Sequence, residues 1–318
     1  MENITFRIRR YDGTNTWVQE YRLPYEKRKT ILWALTKIKD EIDPTLNFTS
    51  ACRHAICGSC GVKVNGHAFL ACKTSLDKLL ETFDTSVLYF EPLGNYDVVR
   101  DLVVDWKPKM EKMKKVKPWL LPSREGSKEE GFRQSKQQFA KISSSTDCIL
   151  CGICASECGQ LAINDGGFLE PFIINKAYRF VVDSRDNAPE EHIRPVLENG
   201  LWKCIHCMQC VSKCPKEIPL TDEIAYLRKE TMKMGEVHNQ GARHAYAFYH
   251  DVKKWGRLNE MTLPVKTDGM VTTLRKRIPF AYRMIVKGKI NPLRLPKAVK
   301  GIKGVRKIYQ QVEEESKS

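Results

Sequence analysis

The sequence predicts an α+β chain: a small N-terminal sheet domain holding a cysteine loop, a helical domain holding two cysteine runs, and a basic C-terminal extension. Three observations carry this. Apolar and polar side chains alternate at strand period near the N-terminus, as in Ile4, Phe6 and Ile8 against Thr5, Arg7 and Arg9. Twelve cysteines fall into three sets of four with none left over. Residues 251–318 hold 17 Lys and Arg against 6 Asp and Glu, so +11 of the chain's net +15 sits in this tail.

The elements follow in order. After the first strand, Asp12-Gly13-Thr14-Asn15 signals a turn, and Trp17 to Leu23 pairs back as a hairpin. Thr30 to Ile38 reads as a helix that ends before Pro44. The first cysteine loop follows, and Val62 to Leu70 forms a second hairpin turning at Asn65-Gly66. Val87 to Pro92 closes the sheet. Two hairpins, a crossing helix and a cysteine loop predict a β-grasp ferredoxin domain over residues 1–105. The segment Lys107 to Ser135 reads as a linker, or as a surface helix followed by a loop. Residues 106–240 form the helical domain, whose own cysteines begin after Ile142. Its helices are expected at Asn175 to Arg185 and at Asp222 to Met234. Residues 241–318 form the basic tail, interrupted by Pro264, Pro279, Pro292 and Pro296.

The cysteine spacing specifies chemistry. Cys52, Cys57, Cys60 and Cys72 have the C-x4-C-x2-C…C spacing of a plant-type [2Fe–2S] site. Gly58 and Gly61 let backbone amides approach the sulfurs. Cys148, Cys151, Cys154 and Cys158 form one C-x2-C-x2-C-x3-C run, and Cys204, Cys207, Cys210 and Cys214, followed by Pro215, form another. In such two-cluster sequences the fourth cysteine serves the other cube. Cys148, Cys151, Cys154 and Cys214 are therefore expected on one [4Fe–4S] centre, and Cys158, Cys204, Cys207 and Cys210 on a second. Zinc fits less well, since its structural sites favour paired C-x2-C knuckles. These cysteines bind cofactors, and no catalytic acid or base is expected. Three centres in one chain move single electrons between two places.

Composition bounds the rest. The chain has 318 residues, 42% hydrophobic and 29% charged, enough for two domains with cores. No apolar stretch is long enough to suggest a transmembrane helix. Met1-Glu2-Asn3-Ile4 opens directly into a strand, so no leader is expected. A disulfide framework suits small secreted domains, whereas thiolate ligands point to folding in the cytoplasm. The positive charge admits nucleic acid, an anionic membrane surface or an acidic protein partner, against the plain alternative of a solvated helical surface. The basic and apolar residues mixed over Leu274 to Lys287 suit lipid or a partner subunit. Nucleic acid is the weakest option, because the aromatic residues form no stacking platform, and no nucleic-acid partner is expected.

The chain resembles the iron–sulfur subunit of succinate dehydrogenase/fumarate reductase. The resemblance rests on Cys57-Gly58-Ser59-Cys60, Asn65-Gly66, Leu70-Ala71-Cys72, Glu91-Pro92-Leu93, Val99 through Asp105, Cys148 through Cys154, and Cys210 with Cys214-Pro215. It covers roughly the first three quarters of the chain. It implies electron transfer between an FAD-containing flavoprotein, which interconverts fumarate and succinate, and a membrane quinone pool. By the same resemblance the [2Fe–2S] domain faces the flavin and the last centre faces the quinone side.

Two departures stand out. The family usually has an aliphatic residue and a [3Fe–4S] centre where Cys207 stands, so Cys207 makes a second full cube possible; if Cys207 is not a ligand, that centre is [3Fe–4S]. The family's frequent Trp pair is replaced by Gly159-Gln160-Leu161-Ala162. His206 is offset from the family's usual histidine and reads as a residue beside the centre or at the surface. The tail, through Arg243 to Val252, Trp255 to Glu260, Ile278-Pro279-Phe280, Lys287-Gly288-Lys289, Pro296 and Ile302-Lys303-Gly304, is similar to the small iron–sulfur subunit of heterodisulfide reductases. Such tails occur in the non-classical succinate dehydrogenase/fumarate reductases, where a cysteine-rich, heterodisulfide-reductase-B-like subunit replaces the membrane anchor. The 8-methylmenaquinol:fumarate reductases belong to this group. The resemblance therefore implies that flavoprotein, that cysteine-rich subunit and an indirect link to the quinone pool. It implies a complex peripheral on the inner membrane, periplasmic if carried outward by a partner with a twin-arginine leader. The alternative is a fumarate reductase linked to a thiol or heterodisulfide couple.

Overall fold

The computed structural model describes residues 3–122, 131–164, 167–289 and 297–315. The chain divides into two compact units, Met1–Leu227 and Arg228–Ser318.

The first unit begins with a five-stranded sheet. Strands β1 (Asn3–Tyr11) and β2 (Thr16–Pro24) pair antiparallel, Ile4 opposite Leu23 and Tyr11 opposite Thr16. Asp12 shapes their turn by accepting the Thr14 and Asn15 N–H groups at 2.8 and 2.7 Å. Helix α1 (Ile31–Lys37) starts where Thr30 Oγ1 accepts the Trp33 N–H at 3.2 Å. It continues through a wider π-type turn, Ile38–Ile42, to the extended Asp43 before Pro44. Ile4, Phe6 and Ile8 of β1 and Ile31, Ala34, Leu35 and Ile38 are fully buried in one core. Burial of each large side chain contributes roughly 1.5–3 kcal/mol.

Strands β3 (Gly61–Val64) and β4 (His67–Leu70) form the expected second hairpin. Asn65 and Gly66 both have positive φ, 48° and 84°, as a two-residue type I′ turn requires. Helix α2 (Leu76–Phe83) lies outside the elements the sequence pattern predicts, although Ser75 caps it by accepting the Lys78 N–H. Strand β5 (Val87–Glu91) runs parallel to β1 and antiparallel to β3, giving the order β2-β1-β5-β3-β4. Phe6 and Phe90 stack at 5.5 Å across that parallel pair. A small hairpin, β6 (Val98–Arg100) and β7 (Val103–Val104), ends the sheet region.

Buried Arg10 braces this domain. Its guanidinium pairs with Asp101 at 2.9 Å and Asp43 at 2.7 Å, and donates to Tyr21, Gln19 and Thr45. Asp101 also accepts the Tyr11 and Asn47 N–H groups. The network joins β1, the end of the α1 region, the segment before Cys52 and the β6–β7 turn.

The rest of the first unit is helical. Helix α3 (Lys107–Lys115) takes up the surface-helix alternative for the segment after residue 106; part of the expected following loop, residues 123–130, lies outside the described residues. Helix α4 (Lys136–Thr146) opens with a capping box between Ser135 and Gln138. Short helix α5 (Ile153–Ser156) carries Cys154, and α6 (Gly159–Ile163) follows Cys158. Helix α7 (Pro171–Val181) starts four residues before the expected Asn175, because Pro171 is suited to a first turn. Helix α8 (Pro189–Glu198), a 3-10 turn at Leu201–Lys203 and helix α9 (Gln209–Ser212) follow, and helix α10 (Leu220–Lys233) begins in this unit. Lys109 and Lys112 of α3 reach the buried Glu170 carboxylate at 2.7 and 3.2 Å, tying α3 to the start of α7.

The second unit contains α11 (Gln240–Trp255), α12 (Leu263–Asp268), α13 (Met270–Val286) and α14 (Ile302–Glu315). Asn239 caps α11, and Gly256 at φ +74° ends it. The prolines divide the tail less than expected. Pro264 sits in the first turn of α12, where its missing N–H costs nothing. Pro279 lies inside α13 without ending it. Its lost hydrogen bond frees the Arg275 carbonyl on an exposed stretch, where water can replace it. Pro292 and Pro296 lie outside the described residues.

Candidate cluster sites

None of the twelve cysteines, all within the described residues, forms a disulfide. The first set lies on the loop before β3, with Cys72 just after β4. Arg53, Ala55 and Gly58 have φ of 59°, 57° and 74°, so the loop winds back on itself. This turns backbone N–H groups onto sulfur: His54, Ile56 and Cys57 donate to Cys52 Sγ at 3.3, 3.4 and 3.3 Å, and Ala55 donates to Cys72 Sγ at 3.3 Å. Such a concave array of N–H groups favours negative charge. Cys57 lies 3.2 Å from the Ser59 hydroxyl, which with backbone hydrogen bonds lowers its thiol to about 6. Burial pushes Cys60 up to about 12, with Cys72 and Cys57 adding to the shift.

This loop presses against the second cysteine run. A Cβ at Gly58 would overlap the Ile149 carbonyl oxygen and come within 2.9 Å of Cys151 Cα. A Cβ at Gly61 would likewise lie 3.1 Å from the Cys151 carbonyl oxygen. The sheet domain is further fastened there by Asn95, whose amide donates to the Ala155 and Cys158 carbonyls at 2.8 and 3.0 Å. Gly94 N–H donates to Ser156 Oγ, and Ala68 N–H to the Glu157 carboxylate.

Cys148, Cys151, Cys154 and Cys214 line one cavity, closed by Phe172 and Pro215. The fourth cysteine of the third set thus joins the first three of the second. Leu150 and Gly152, at φ 53° and 76°, fold the loop. A Cβ on Gly152 would overlap Tyr96 Oη and lie 2.7 Å from Trp106. Tyr96, Trp106 and Phe172 form a continuous aromatic wall, with ring centroids 5.1 and 5.9 Å apart. Burial pushes the Cys151 thiol up to about 12, with repulsion from Cys148 and Cys214. It drives Cys154 well above its usual range. Burial also raises Glu223, to about 7, while Asn175 donates to both its oxygens at 3.0 Å.

The remaining four cysteines form the third group. Cys210 is pushed up to about 12 by burial and by the proximity of Cys204, Cys158 and Cys207. His206 and Met208 carry positive φ, 54° and 66°, and the His206 N–H lies 3.5 Å from Cys204 Sγ. Cys154 lies within electrostatic reach of Cys210, where α5 packs on α9. Sequence spacing brings out the twelve sulfurs. It does not reveal the aromatic wall or the Asn95 clamp, whose residues stand far from the cysteines they serve and carry no periodic signal.

The residues fit iron–sulfur groups. N–H groups aim at the sulfurs of the first set, and the raised thiols of the others are groups that metal binding would deprotonate. Tyr96 Oη is buried near the cavity of Cys148, Cys151, Cys154 and Cys214, with no hydrogen-bond partner among the described residues. Sheet domain, cysteine loop and crossed runs define a multi-centre iron–sulfur protein. Residues 5–111 match a family described as a 2Fe-2S iron-sulfur cluster binding domain, and residues 144–218 match a 4Fe-4S dicluster domain.

The chain is 43% identical to the 8-methylmenaquinol:fumarate reductase iron-sulfur subunit of Wolinella succinogenes, over 92% of each chain. It is 33% identical to the fumarate reductase iron-sulfur subunit of Escherichia coli O6:H1, over 73% of this chain and 95% of that one. A solved chain of the Mycobacterium smegmatis Sdh1 complex in the apo form shares the fold, with a TM-score of 0.66 at 23% identity, covering 73% of this chain and 96% of that one. The chain belongs to the iron–sulfur subunits of the fumarate reductase/succinate dehydrogenase family, and it is an electron-transfer subunit of that oxidoreductase class.

Proposed function

We propose that this chain carries electrons between a cysteine-rich, heterodisulfide-reductase-B-like subunit on the menaquinol or methylmenaquinol side and an FAD flavoprotein that interconverts fumarate and succinate. The complex is membrane-associated and peripheral. It is assembled in the cytoplasm and lies on the periplasmic side if a partner with a twin-arginine leader exports it. Three domains divide the work, with residues 1–105 for the [2Fe–2S] centre, 106–240 for two cubes, and 241–318 for docking.

The observation that carries the reading is the order in which the loops touch. Gly58 brings the first cysteine loop onto Cys151, and Cys154 lies within reach of Cys210. This continuity supports a relay running from the first set through the second to the third. The assigned ligands are Cys52, Cys57, Cys60 and Cys72 for the [2Fe–2S] centre. They are Cys148, Cys151, Cys154 and Cys214 for the first [4Fe–4S] centre, and Cys158, Cys204, Cys207 and Cys210 for the second. When bound, such clusters supply one-electron redox chemistry. The chain's part is to hold the thiolates, exclude water with Tyr96, Trp106 and Phe172, and aim N–H groups at the sulfurs. Hydrogen bonds and burial of this kind adjust reduction potential.

The non-classical subtype is supported by the tail. An alignment covering 92% of the chain includes most of Arg228–Ser318, whereas one covering 73% need not. The test is turnover by the purified complex. Menaquinol-analogue oxidation coupled to fumarate reduction supports this reading. Activity with coenzyme thiols and none with menaquinol analogues would replace it with the thiol-linked alternative.

A further inference from the structure

We infer that α13 seats its apolar face on an anionic phospholipid bilayer, lying flat in the headgroup layer. The inference rests on the membrane location proposed above and assigns it to named residues of this chain. At 100° per residue, Met270, Val271, Leu274, Ile278, Tyr282 and Ile285 fall within an arc of roughly 120° on one side of the helix. All six are exposed, from 40% at Ile285 to 80% at Val271. Thr273 and Met284, on a different side, are half-buried. The apolar face is thus uncovered by the described chain.

The surroundings indicate what covers it. No Asp or Glu occurs from residue 269 to residue 312, while twelve Lys and Arg do. Arg275 and Arg277 flank the apolar arc on its two edges, and Lys276, Arg283 and Lys287 lie beyond them. Arg277 also pairs with Asp268 at 3.3 Å. Long cationic side chains beside an apolar face can bury their stems and leave their heads among phosphates. A protein partner would need an acidic surface in matching register, and the cores of protein interfaces are depleted in Lys. An anionic bilayer offers complementary charge at every position. Among the described residues, no helix is long and apolar enough to cross a membrane, so the geometry is that of a helix lying on the surface.

The experiment is vesicle flotation of the full-length, cluster-loaded chain. It uses phosphatidylcholine vesicles with and without phosphatidylglycerol, and visible absorbance of the clusters checks the fold. The expected result is flotation only with phosphatidylglycerol, weakening as salt is raised. Ile278→Glu/Ile285→Glu should lose roughly tenfold or more in vesicle affinity, and Arg275→Gln/Lys276→Gln/Arg283→Gln should lower binding to anionic vesicles. No flotation, equal binding to neutral vesicles, or unchanged binding by Ile278→Glu/Ile285→Glu overturns the inference. Co-purification with the cysteine-rich subunit is measured separately. If the wild-type chain captures that partner but does not float, while Ile278→Glu/Ile285→Glu loses it, the face is a protein interface; the inference falls and the reading of the complex stands. If the wild-type chain floats as expected but never captures the partner, that reading falls and the lipid contact stands.

Discussion

At the scale of single residues, Gly58 and Cys207 decide most. Gly58 holds a left-handed backbone against Ile149 and Cys151, so a methyl group there meets backbone that cannot yield. Gly58→Ala should destabilise by about 1–3 kcal/mol and reduce [2Fe–2S] content. Gly66→Ala, where φ is also positive but nothing lies within 4 Å, should incur only the backbone cost of about 1–2 kcal/mol and keep its cluster. Thermal unfolding and the visible spectrum check both, and equal cluster loss in the two variants would contradict the packing argument. Cys207 is exposed but sits with the group that raises Cys210. Cys207→Val should convert the third centre to [3Fe–4S] and leave the other two signals in place. An unchanged cluster inventory by paramagnetic resonance would show that Cys207 is not a ligand.

At the scale of elements, the Arg10 network sets the acid stability of the sheet domain. Burial alone would raise the Asp101 carboxyl, but hydrogen bonds from Arg10, Tyr11 and Asn47 hold it below its ordinary value; Asp43 is held low by Thr45, Tyr21 and Arg10. Carboxylates depressed in the folded state contribute stability that is full above their unfolded pKa, about 3.9. It is lost as pH falls toward the folded values. Unfolding should therefore set in below about pH 4, and Asp101→Asn should weaken the domain at neutral pH while flattening this acid limb. Circular dichroism against pH measures both; an unchanged acid limb in the variant would contradict the assignment. The strands were legible because alternation buries one face, and the Asn65-Gly66 turn because few sequences tolerate two positive φ angles. Helix α2 escaped notice because its buried residues, Leu76 and Leu79, span barely one turn. Helix α8 carries no clear helical signal because it holds two prolines, Pro189, which only opens it, and Pro195 inside it. Pro279 misled in the same way: an exposed helix survives one missing N–H.

At the scale of the whole molecule, the cysteine spacing divides the twelve cysteines into three sets of four. Cys214 of the third set lines the cavity of Cys148, Cys151 and Cys154. The close approach of Gly58 to Cys151, and the residues that fasten the sheet domain to the cysteine runs, were illegible because they join segments distant in sequence. Removing residues 251–318 should release the chain from the proposed cysteine-rich subunit or from membranes while leaving the cluster signals intact, since the cysteines lie within Met1–Leu227. Subunit association and membrane fractionation read this; unaltered behaviour in both would rule out a docking role for the tail. The measurement that bears most directly on the proposed three-centre relay is low-temperature paramagnetic resonance of the dithionite-reduced and air-oxidised protein. A [2Fe–2S] signal with two reduced cubes and no oxidised [3Fe–4S] signal is the expected result. A strong oxidised [3Fe–4S] signal persisting after anaerobic preparation would contradict it and remove Cys207 from the ligand set.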